Sequence, residues 1–350
     1  MAKQRCLMIG AGGMAGGWIR RFFPNFRDRT EIVGLVDVNE EPLEHSGEFL
    51  GLAEDLRFTD QEEAFDKVRA DFCCIVTPPS VHELSVNLAC ERGMAILSEK
   101  PIADTWEACG RIYRSVKASG VKMMVTQNYR YDSRIRTLKQ VIVDGRLGRL
   151  NYLMGRFAAD YRRYGAWGAW RHEIPNALLV EGSVHHFDQL RNLASADCET
   201  IFGYQWNPAW SSFKHGSNAL FVMRFTDGTP ANYEGSNNAA GHQNNWHGEY
   251  YRAECEGGAA VLDNDSNVWI EEFTPGQGMR LTQVPHVEPQ WQGHDDIICQ
   301  FLDWLDGGEE PATVIDDNIK SAGMLFGAIE ASETGQPVDV VKKVAQATAH

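Results

Sequence analysis

The feature that most constrains this chain is a glycine-rich turn that directly follows an apolar stretch near the N-terminus. Residues 5–16 read Arg-Cys-Leu-Met-Ile-Gly-Ala-Gly-Gly-Met-Ala-Gly, and Gly10, Gly12 and Ala15 fit the pattern G-x-G-x-x-G/A. The stretch that follows, residues 14–26, is compatible with a helix. Strand, glycine turn and helix in this order are typical of a dinucleotide-binding unit, whereas the pattern without this context would also fit an ordinary structural turn.

A second apolar strand is predicted over residues 31–36, and Asp37 follows it. In a dinucleotide-binding unit Gly10 permits the tight turn, Gly12 lets the backbone approach a pyrophosphate, and the helix N-terminus attracts the negative charge. An acid after the second strand accepts hydrogen bonds from the adenosine-ribose hydroxyls and repels a 2′-phosphate. Because residues 38–41 contain no positive charge, the sequence predicts NAD as the cofactor in preference to NADP.

Length and composition set the broad class. A chain of 350 residues has room for two domains, and 43% hydrophobic and 23% charged residues are ordinary for globular proteins. The net charge of −15 argues against a nucleic-acid partner, and no apolar run is long enough to span a membrane. The eight Cys residues form no C-x-x-C pair and no zinc-like spacing, so we expect free thiols and a cytoplasmic location.

The strand and helix patterns divide the chain into two domains. Strands and helices alternate through residues 1–126, which predicts an α/β domain with a doubly wound parallel sheet, a Rossmann fold. For residues 127–350 we expect an α+β domain with an open, mostly antiparallel sheet that serves substrate binding and oligomerisation, and whose C-terminal helix can pack back on the first domain. Helices are expected near 175–194, 292–306 and 315–334. The predicted strands of this domain cover 149–158, 198–206, 218–226, 230–236, 249–256, 259–263, 267–272 and 279–284.

Polar side chains follow three strands of the predicted parallel sheet, at the edge where such sheets bind their ligands. These segments are 77–82, 98–101 and 127–130. Lys100 lies in the second of them, beside the expected nicotinamide, although a lysine is most often a solvated surface charge. The predicted cofactor-binding residues are Gly10, Gly12, Gly13, Met14, Asp37, Thr77, Pro78, His82, Glu99, Lys100 and Asn128.

A second group of titratable residues lies on the predicted helix near 175–194. Glu181 and His185 are four residues apart, and Asp188 is three residues further, so all three share roughly one helix face. His186 lies about 100° around the helix from His185. A carboxylate beside a histidine fixes one ring nitrogen as a donor and leaves the other free to act as a base. The alternative is a histidine that is hydrogen-bonded within the core.

The glycine turn, the triplet Glu99-Lys100-Pro101 and the pattern Glu181-x-x-x-His185-x-x-Asp188 resemble the Gfo/Idh/MocA oxidoreductases (glucose–fructose oxidoreductase, inositol dehydrogenase and rhizopine catabolism). This resemblance extends over the whole chain. It implies a nicotinamide cofactor, sugar or polyol substrates, dimers or tetramers, and Lys100 and His185 as catalytic residues. Glu181 stands where the family usually has Asp, and Ser183 where a glycine is common.

The stretch 156–172 is dense in aromatic residues and arginines and lacks a clear periodicity. Trp167 and Trp170 could stack on the C–H faces of a sugar, and Arg163 and Arg171, together with Arg162, could hold an anionic group. A subunit interface accounts for the same composition equally well. The polar loop 241–247 could contribute to the same site.

These features together predict an NAD-dependent oxidoreductase that transfers a hydride between the nicotinamide and a secondary alcohol of a sugar, polyol or sugar acid. His185 is the expected base, Glu181 orients it, and Lys100 stabilises the developing alkoxide, so no metal is needed. The expected substrate-binding residues are Lys100, Arg163, Trp167, Trp170, Arg171 and His185. Redox-neutral glycoside cleavage through transient oxidation, and a non-catalytic NAD-binding regulator, are the alternatives. We expect a homodimer or homotetramer.

Overall fold

The computed structural model describes residues 2–241, 244 and 246–349. Internal contacts divide the chain into two compact units. The first unit contains Met1–Asn128, Trp291–Ile319 and Ala347–His350, and the second contains Tyr129–Gln290 and Lys320–Gln346. Each unit contains one of the two sheets.

The chain up to Asn128 alternates strands and helices as the sequence predicts. Its elements are β1 (Gln4–Ile9), α1 (Gly13–Gly17), β2 (Thr30–Val36), α2 (Glu40–Leu50), β3 (Arg57–Phe58), α3 (Gln61–Lys67), β4 (Phe72–Ile75), α4 (His82–Glu91), β5 (Ala95–Ser98), α5 (Trp106–Ser119) and β6 (Met123–Val125). The six strands are parallel in the order β3-β2-β1-β4-β5-β6. Strands β4 and β5 are buried along their whole length, as strands covered on both faces are. The predicted Rossmann sheet is confirmed.

The helical stretch after the glycine turn is less regular than one helix over 14–26. After α1 the chain makes a π-helical turn over Trp18–Phe22 and a 3₁₀ turn over Phe23–Phe26. Pro24 has no backbone N–H to continue an α-helical ladder, which accounts for the tighter last turn. The π turn buries Trp18 completely.

The chain after Asn128 forms the second sheet and the remaining helices. Its elements are α6 (Ser133–Val143), β7 (Leu150–Ala158), α7 (Ala169–Glu173), α8 (Val184–Ala194), β8 (Cys198–Trp206), β9 (Asn218–Phe225), β10 (Pro230–Ser236), β11 (Tyr250–Cys255), β12 (Gly258–Leu262), β13 (Val268–Thr274), β14 (Gly278–Val284), α9 (Gly293–Leu305), α10 (Ile315–Thr334), β15 (Val338–Asp339) and α11 (Val340–Thr348). The nine strands are ordered β14-β13-β12-β11-β7-β10-β9-β8-β15. Strands β7 and β10 pair in parallel and their neighbours pair antiparallel, which confirms the mostly antiparallel sheet.

One face of the second sheet is covered by α8. The Phe187 ring on this helix lies 5.8 Å from Phe221 on β9 and 5.1 Å from Tyr233 on β10. Strand β9 alternates buried and exposed residues over most of its length, as a strand with one solvated face does. A π-helical turn over Leu178–Ser183 leads directly into α8, so the helix expected over 175–194 is π-helical in its first part.

The observed units differ from the predicted division at residue 126, which assigned all of 127–350 to the second domain. Helix α9 belongs to the first unit because its apolar face joins that core: the Phe301 ring lies 5.2 Å from Phe72 on β4. The backbone N–H of Val125 also donates to the Thr313 carbonyl at 2.9 Å. Four further elements were not predicted from the sequence: α6, α7, β15 and α11.

All eight Cys residues are free thiols, as the sequence predicts. Within the described ranges, no helix combines the length and apolar character that crossing a membrane requires.

Candidate active site

The glycine turn of the first unit can be built only with glycine at its first position. Gly10 has a φ of +108°, and a Cβ atom there would lie 2.3 Å from the Val76 carbonyl oxygen. The turn therefore brings the β1 chain end into close contact with the end of β4. Gly13, at the start of α1, has a φ of +50°. Both conformations favour glycine, as the predicted phosphate-binding turn requires.

Asp37 after β2 faces the backbone donors of the same turn. Its Oδ2 atom accepts the N–H groups of Ala11 at 2.8 Å and Gly12 at 3.3 Å. Its Oδ1 atom accepts the N–H of Asn39 at 2.9 Å. These bonds fix the Asp37 carboxylate against the glycine turn, at the end of β2, where a dinucleotide-binding unit places the acid that faces the adenosine ribose.

Two polar side chains at the carboxyl ends of the strands have hydrogen-bonding atoms without a partner among the described residues. They are the Thr77 hydroxyl after β4 and the Gln127 amide after β6, and these atoms are buried. Buried polar atoms are normally hydrogen-bonded, so a ligand at this edge would satisfy them. The residues present therefore fit a bound dinucleotide. The predicted cofactor residue Asn128 is 7% exposed, and its neighbour Gln127 was not predicted.

His82 is placed differently from a residue that contacts the cofactor. Its ring is fully buried. Nε2 lies 2.9 Å from the Thr77 carbonyl oxygen, and Nδ1 lies 3.1 Å from that of Pro101 and 3.2 Å from that of Ile102. Because both ring nitrogens face backbone carbonyls, His82 joins the loop after β4 to the loop after β5. We therefore revise its predicted role from cofactor contact to support of these two loops.

The carboxylate of Glu99 forms a buried cluster next to Lys100. Its Oε1 accepts the indole N–H of Trp18 at 3.0 Å and lies 3.6 Å from Nε2 of His294 on α9. Burial opposes the charge, but the hydrogen bond and charge of His294, with the charge of Lys100, hold the pKa of Glu99 below its usual value. The Lys100–Pro101 peptide bond is cis. The sequence offered no signal for His294, because it lies 195 residues further along the chain.

In the second unit, His185 lies in the first turn of α8 and is 7% exposed. The Tyr129 ring meets it edge-on, with 4.6 Å between ring centroids. Asp188 on the same helix is fully buried and accepts two hydrogen bonds from Arg130, at 2.8 and 2.6 Å. The hydroxyl of Ser321 donates to the same carboxylate at 2.6 Å. Asp188 therefore anchors Arg130 to α8.

His186 points into the core of the second unit and is 1% exposed. Its Nδ1 atom lies 2.8 Å from the Tyr233 hydroxyl, which is 2.9 Å from the Ser183 hydroxyl. Its Nε2 atom lies 3.4 Å from Oε1 of Glu249, a buried carboxylate before β11. His186 is thus hydrogen-bonded within the core through Nδ1, as in the alternative interpretation of the helix, whereas its Nε2 makes no hydrogen bond among the described residues. Glu249 was missed because nothing in its local sequence distinguishes it from a surface acid.

The aromatic stretch before α8 is anchored by an ion pair. Arg171 on α7 donates two hydrogen bonds to Oε2 of Glu181, at 3.1 and 3.0 Å. Its guanidinium lies 4.9 Å from the Trp167 ring centroid and 4.3 Å from that of Trp170. The guanidinium of Arg171 was predicted to bind an anionic substrate. It is instead paired with the Glu181 carboxylate, so this prediction is corrected.

The other arginines of this stretch differ in their pairing. Arg162 pairs with Asp160 at 2.7 Å, whereas Arg163 is exposed and has no ionic partner within the described ranges. In the polar loop 241–247, residues 242, 243 and 245 lie outside the described residues. The Trp246 ring lies 5.5 Å from that of Trp167, so this loop joins the aromatic cluster.

Comparison with known proteins places these features in a family. Residues 4–127 match the model of an oxidoreductase family with an NAD-binding Rossmann fold, and residues 135–261 match the model of the GFO/IDH/MocA C-terminal domain. The chain is 42% identical over 349 residues to the uncharacterized protein y4oX of Sinorhizobium fredii, covering 96% of this chain and 95% of the other. It is 24% identical over 344 residues to inositol 2-dehydrogenase 1 of Paenarthrobacter aurescens, with 96% of each chain covered.

The fold also matches a solved structure of an oxidoreductase from Agrobacterium radiobacter in complex with NAD⁺, L-tartaric acid and magnesium. The TM-score is 0.84 at 18% identity, and 97% of this chain and 99% of the other are covered. In the part of this chain that the structure describes, no three His, Cys, Asp or Glu side chains are grouped so that they could hold a metal ion. The two family models, the glycine turn with its acid and the two-sheet architecture lead to one conclusion: this chain belongs to the GFO/IDH/MocA family of NAD-binding oxidoreductases.

Proposed function

We propose that this protein is an NAD-dependent dehydrogenase that acts on a secondary alcohol of a sugar, polyol or sugar acid, with Lys100 and His185 as its catalytic residues. The observation that carries the proposal is the placement of Lys100 directly after β5, at the sheet edge where the orphaned Thr77 and Gln127 atoms indicate a bound nucleotide. A cation at that edge, beside a nicotinamide, can stabilise negative charge on a reacting oxygen, whereas a cation on an ordinary surface has no such role.

The proposed mechanism divides the work between the two residues. His185 takes the proton of the substrate hydroxyl as a general base. The Lys100 ammonium donates a hydrogen bond to the same oxygen and stabilises the negative charge that develops there. The backbone donors of the glycine turn and the Asp37 carboxylate hold the two ends of the adenosine diphosphate. The bound nicotinamide supplies the hydride acceptor.

The substrate class is supported by the relatives and by the aromatic stretch. One relative is named an inositol 2-dehydrogenase, and the Agrobacterium radiobacter oxidoreductase was solved with L-tartaric acid, a hydroxy acid. In this chain Trp170 is 49% exposed on α7, and Arg163, seven residues earlier, is exposed and without an ionic partner among the described residues. An exposed indole and an exposed guanidinium suit a polyol that carries a carboxylate.

A screen of free polyols, sugars and sugar acids tests the reaction. Full-length protein is mixed with NAD⁺ and each compound, and NADH formation is followed by absorbance. We expect stoichiometric NADH from at least one class, and loss of the signal in His185→Ala. Glycosides are incubated with the protein in parallel, and release of the free sugar without net NADH would instead indicate the redox-neutral reaction. NAD binding without turnover of any compound, by wild type and variant alike, would indicate a regulator.

We also propose that the exposed face of the second sheet is covered by another copy of this chain. Tyr204 on β8 lies opposite Leu220 on β9, and both side chains are about half exposed, at 53% and 51%. Val222, two residues along β9, is 56% exposed. A contiguous apolar patch of this kind marks a contact surface. Sedimentation analysis of wild type and Leu220→Glu tests this, and an unchanged monomer in both would contradict it.

A further inference from the structure

His247, which precedes β11 in the second unit, combines an exposed imidazole with a strained backbone. Its side chain is 50% exposed. Its φ of +60° lies in the left-handed region, which residues other than glycine adopt only where the surrounding structure fixes them. Such residues cluster at active sites and ligand-binding sites. His247 is therefore a candidate for a functional residue.

Two side chains of the second unit hold the backbone of His247. Its N–H donates to Oε1 of the buried Glu249 at 3.1 Å. Its carbonyl accepts a hydrogen bond from Nη1 of Arg134 on α6, which also donates to the Ser266 hydroxyl at 2.9 Å. Because both sides of the residue are anchored, the position of the imidazole is set by the protein itself, as a preorganised binding group requires.

The imidazole of His247 lies close to that of His185. It packs on the Tyr129 ring with 4.5 Å between ring centroids and 35° between ring planes. The same Tyr129 ring contacts His185, at 4.6 Å between centroids. The two imidazoles are therefore no farther apart than these two distances laid end to end.

The two ring nitrogens of His247 have different surroundings. Nδ1 lies 3.7 Å from Oδ2 of Asp132. Burial opposes the charge of this carboxylate, but the hydrogen bonds of Arg134 and His247 hold the pKa of Asp132 well below its usual value. A negative oxygen near Nδ1 favours the tautomer that carries its proton there, which leaves Nε2 as a hydrogen-bond acceptor. A hydroxyl group is a donor that suits such an acceptor.

Packing on Tyr129 does not by itself account for these observations. A glycine at position 247 would adopt the same backbone conformation without strain. A side chain that served packing alone would also bury its surface, whereas half of this imidazole faces outwards.

We propose that His247 is a substrate-binding residue, whose Nε2 accepts a hydrogen bond from a substrate hydroxyl other than the one that reacts at His185. The inference rests on the proposed function, in which His185 takes the proton of the reacting hydroxyl. Two hydrogen bonds of about 2.8 Å account for more than half of the largest separation that the Tyr129 contacts allow, and the carbon skeleton between two hydroxyls spans the rest. The substrate is accordingly a compound with at least two free hydroxyl groups.

Steady-state kinetics of full-length protein saturated with NAD⁺ test the inference. The probes are myo-inositol, L-tartrate and every other compound of the polyol, sugar and sugar-acid screen that yields NADH. His247→Gly removes the imidazole and relieves the backbone strain, so it should fold at least as well as the wild type. We expect KM for the probe to rise about 2- to 10-fold because one hydrogen bond is lost, with kcat and the Kd of NAD⁺ nearly unchanged.

Further variants identify the nitrogen that makes the contact. The amide of a glutamine reaches the position of Nε2, whereas that of an asparagine reaches only the position of Nδ1. His247→Gln should therefore recover part of the lost affinity, and His247→Asn, which tolerates the left-handed backbone, should behave like His247→Gly. His286→Gly, at an exposed position after β14, is the matched control and should leave KM unchanged.

An unchanged KM in His247→Gly for every compound that is oxidised would overturn the inference. Loss of turnover in His185→Ala would then leave the proposed function standing. If no compound yields NADH, the proposed function is overturned, and the Kd of myo-inositol and of L-tartrate is measured by tryptophan fluorescence instead. Weaker binding of either probe by His247→Gly would still support the inference, whereas equal binding, or binding to neither protein, would overturn it as well.

Discussion

Arg171 donates two hydrogen bonds to the Glu181 carboxylate, through Nε at 3.1 Å and Nη2 at 3.0 Å, and a third through Nη1 to the Trp167 carbonyl at 3.0 Å. One residue lies on α7 and the other on the π turn before α8, so the pair fastens the aromatic stretch to the helix that carries His185. The side chain of Glu181 is 11% exposed and that of Arg171 26%. Glu181, which was predicted to orient His185, therefore anchors Arg171.

Glu181→Gln should destabilise the second unit, because it leaves the Arg171 guanidinium without its counter-charge in a half-buried setting. We expect the free energy of unfolding to fall by about 1.5–3 kcal/mol, measured by urea denaturation. Glu234→Gln is the matched control, since its pair with Arg156 is more exposed. Equal losses in the two variants would argue against a special role for the Arg171 pair.

Arg163→Ala should raise KM for an acidic substrate by about 10- to 100-fold and leave KM for a neutral analogue nearly unchanged, because one charged hydrogen-bonding partner is worth about 1.5–3 kcal/mol. Steady-state kinetics with a sugar acid and the corresponding neutral sugar measure the difference. Arg162→Ala is the control, since Asp160 already neutralises that side chain. If neither variant discriminates between the two substrates, Arg163 does not contact an anionic group.

Asp37→Ser combined with Asn39→Arg should shift cofactor preference from NAD towards NADP by about 1–3 kcal/mol. The change removes a like charge near the 2′-phosphate and supplies a guanidinium for it. Fluorescence titration of both cofactors measures the shift. Asp60→Ser, which preserves a helix-capping side chain on α3, should leave the preference unchanged. A wild-type protein that already prefers NADP would show that Asp37 has been misassigned.

His185→Ala should lower kcat by about 10²- to 10⁴-fold while NAD⁺ binding persists, and Lys100→Ala should lower kcat to a similar extent. Lys100→Arg should not restore activity, because a planar fork does not replace a compact ammonium. His215→Ala, at an exposed position, is the control. His186→Ala should lower stability through the unpaired Tyr233 and Glu249 groups. Near-normal kcat in His185→Ala would reassign the base.

Asp132→Asn should reduce stability at neutral pH and flatten its acid dependence. Burial alone would raise the pKa of Asp132, but the hydrogen bonds and charge of Arg134, with His247, hold it well below its usual value. A depressed native pKa gives stability that is present above the unfolded value of about 3.9 and is lost as the pH falls below it. Urea denaturation at several pH values should therefore show a loss of about 1–3 kcal/mol at pH 7 and a smaller slope below about pH 4.

Asp28→Asn, at an exposed position, is the control for this experiment. If the free energy of unfolding of Asp132→Asn runs parallel to that of the wild type down to the lowest pH, the pair of Asp132 with Arg134 does not stabilise the fold.

Regular strands were readily predicted from sequence, because alternation and continuous apolar runs report directly on how many faces of a strand are buried. The run Phe72–Ile75 and the alternation along Asn218–Phe225 are examples. Helix α6 was missed although Asp132 caps its first turn and its Ile135 and Leu138 are buried. Its many charged residues obscured the apolar spacing.

Pairs between distant segments could not be predicted in the same way. Glu99 meets His294, and His186 meets Glu249, only because strand order and helix packing bring those segments together. The place of α9 in the first unit could not be predicted for the same reason, because the spacing of its apolar residues is compatible with packing on either core. The roles of Lys100 and His185 remain predictions.

Because the turn over Leu178–Ser183 is π-helical, the orientation of the chain before α8 depends on the number of residues in this turn. A π turn holds one residue more than an α-helical turn would, so deleting a single residue there allows a regular helix to form. The preceding segment would then rotate by about 100° relative to α8, which Asp188 and Arg130 hold in place. An insertion or deletion of one residue at this point would thus rotate the aromatic stretch relative to α8. Point substitutions do not produce such a change.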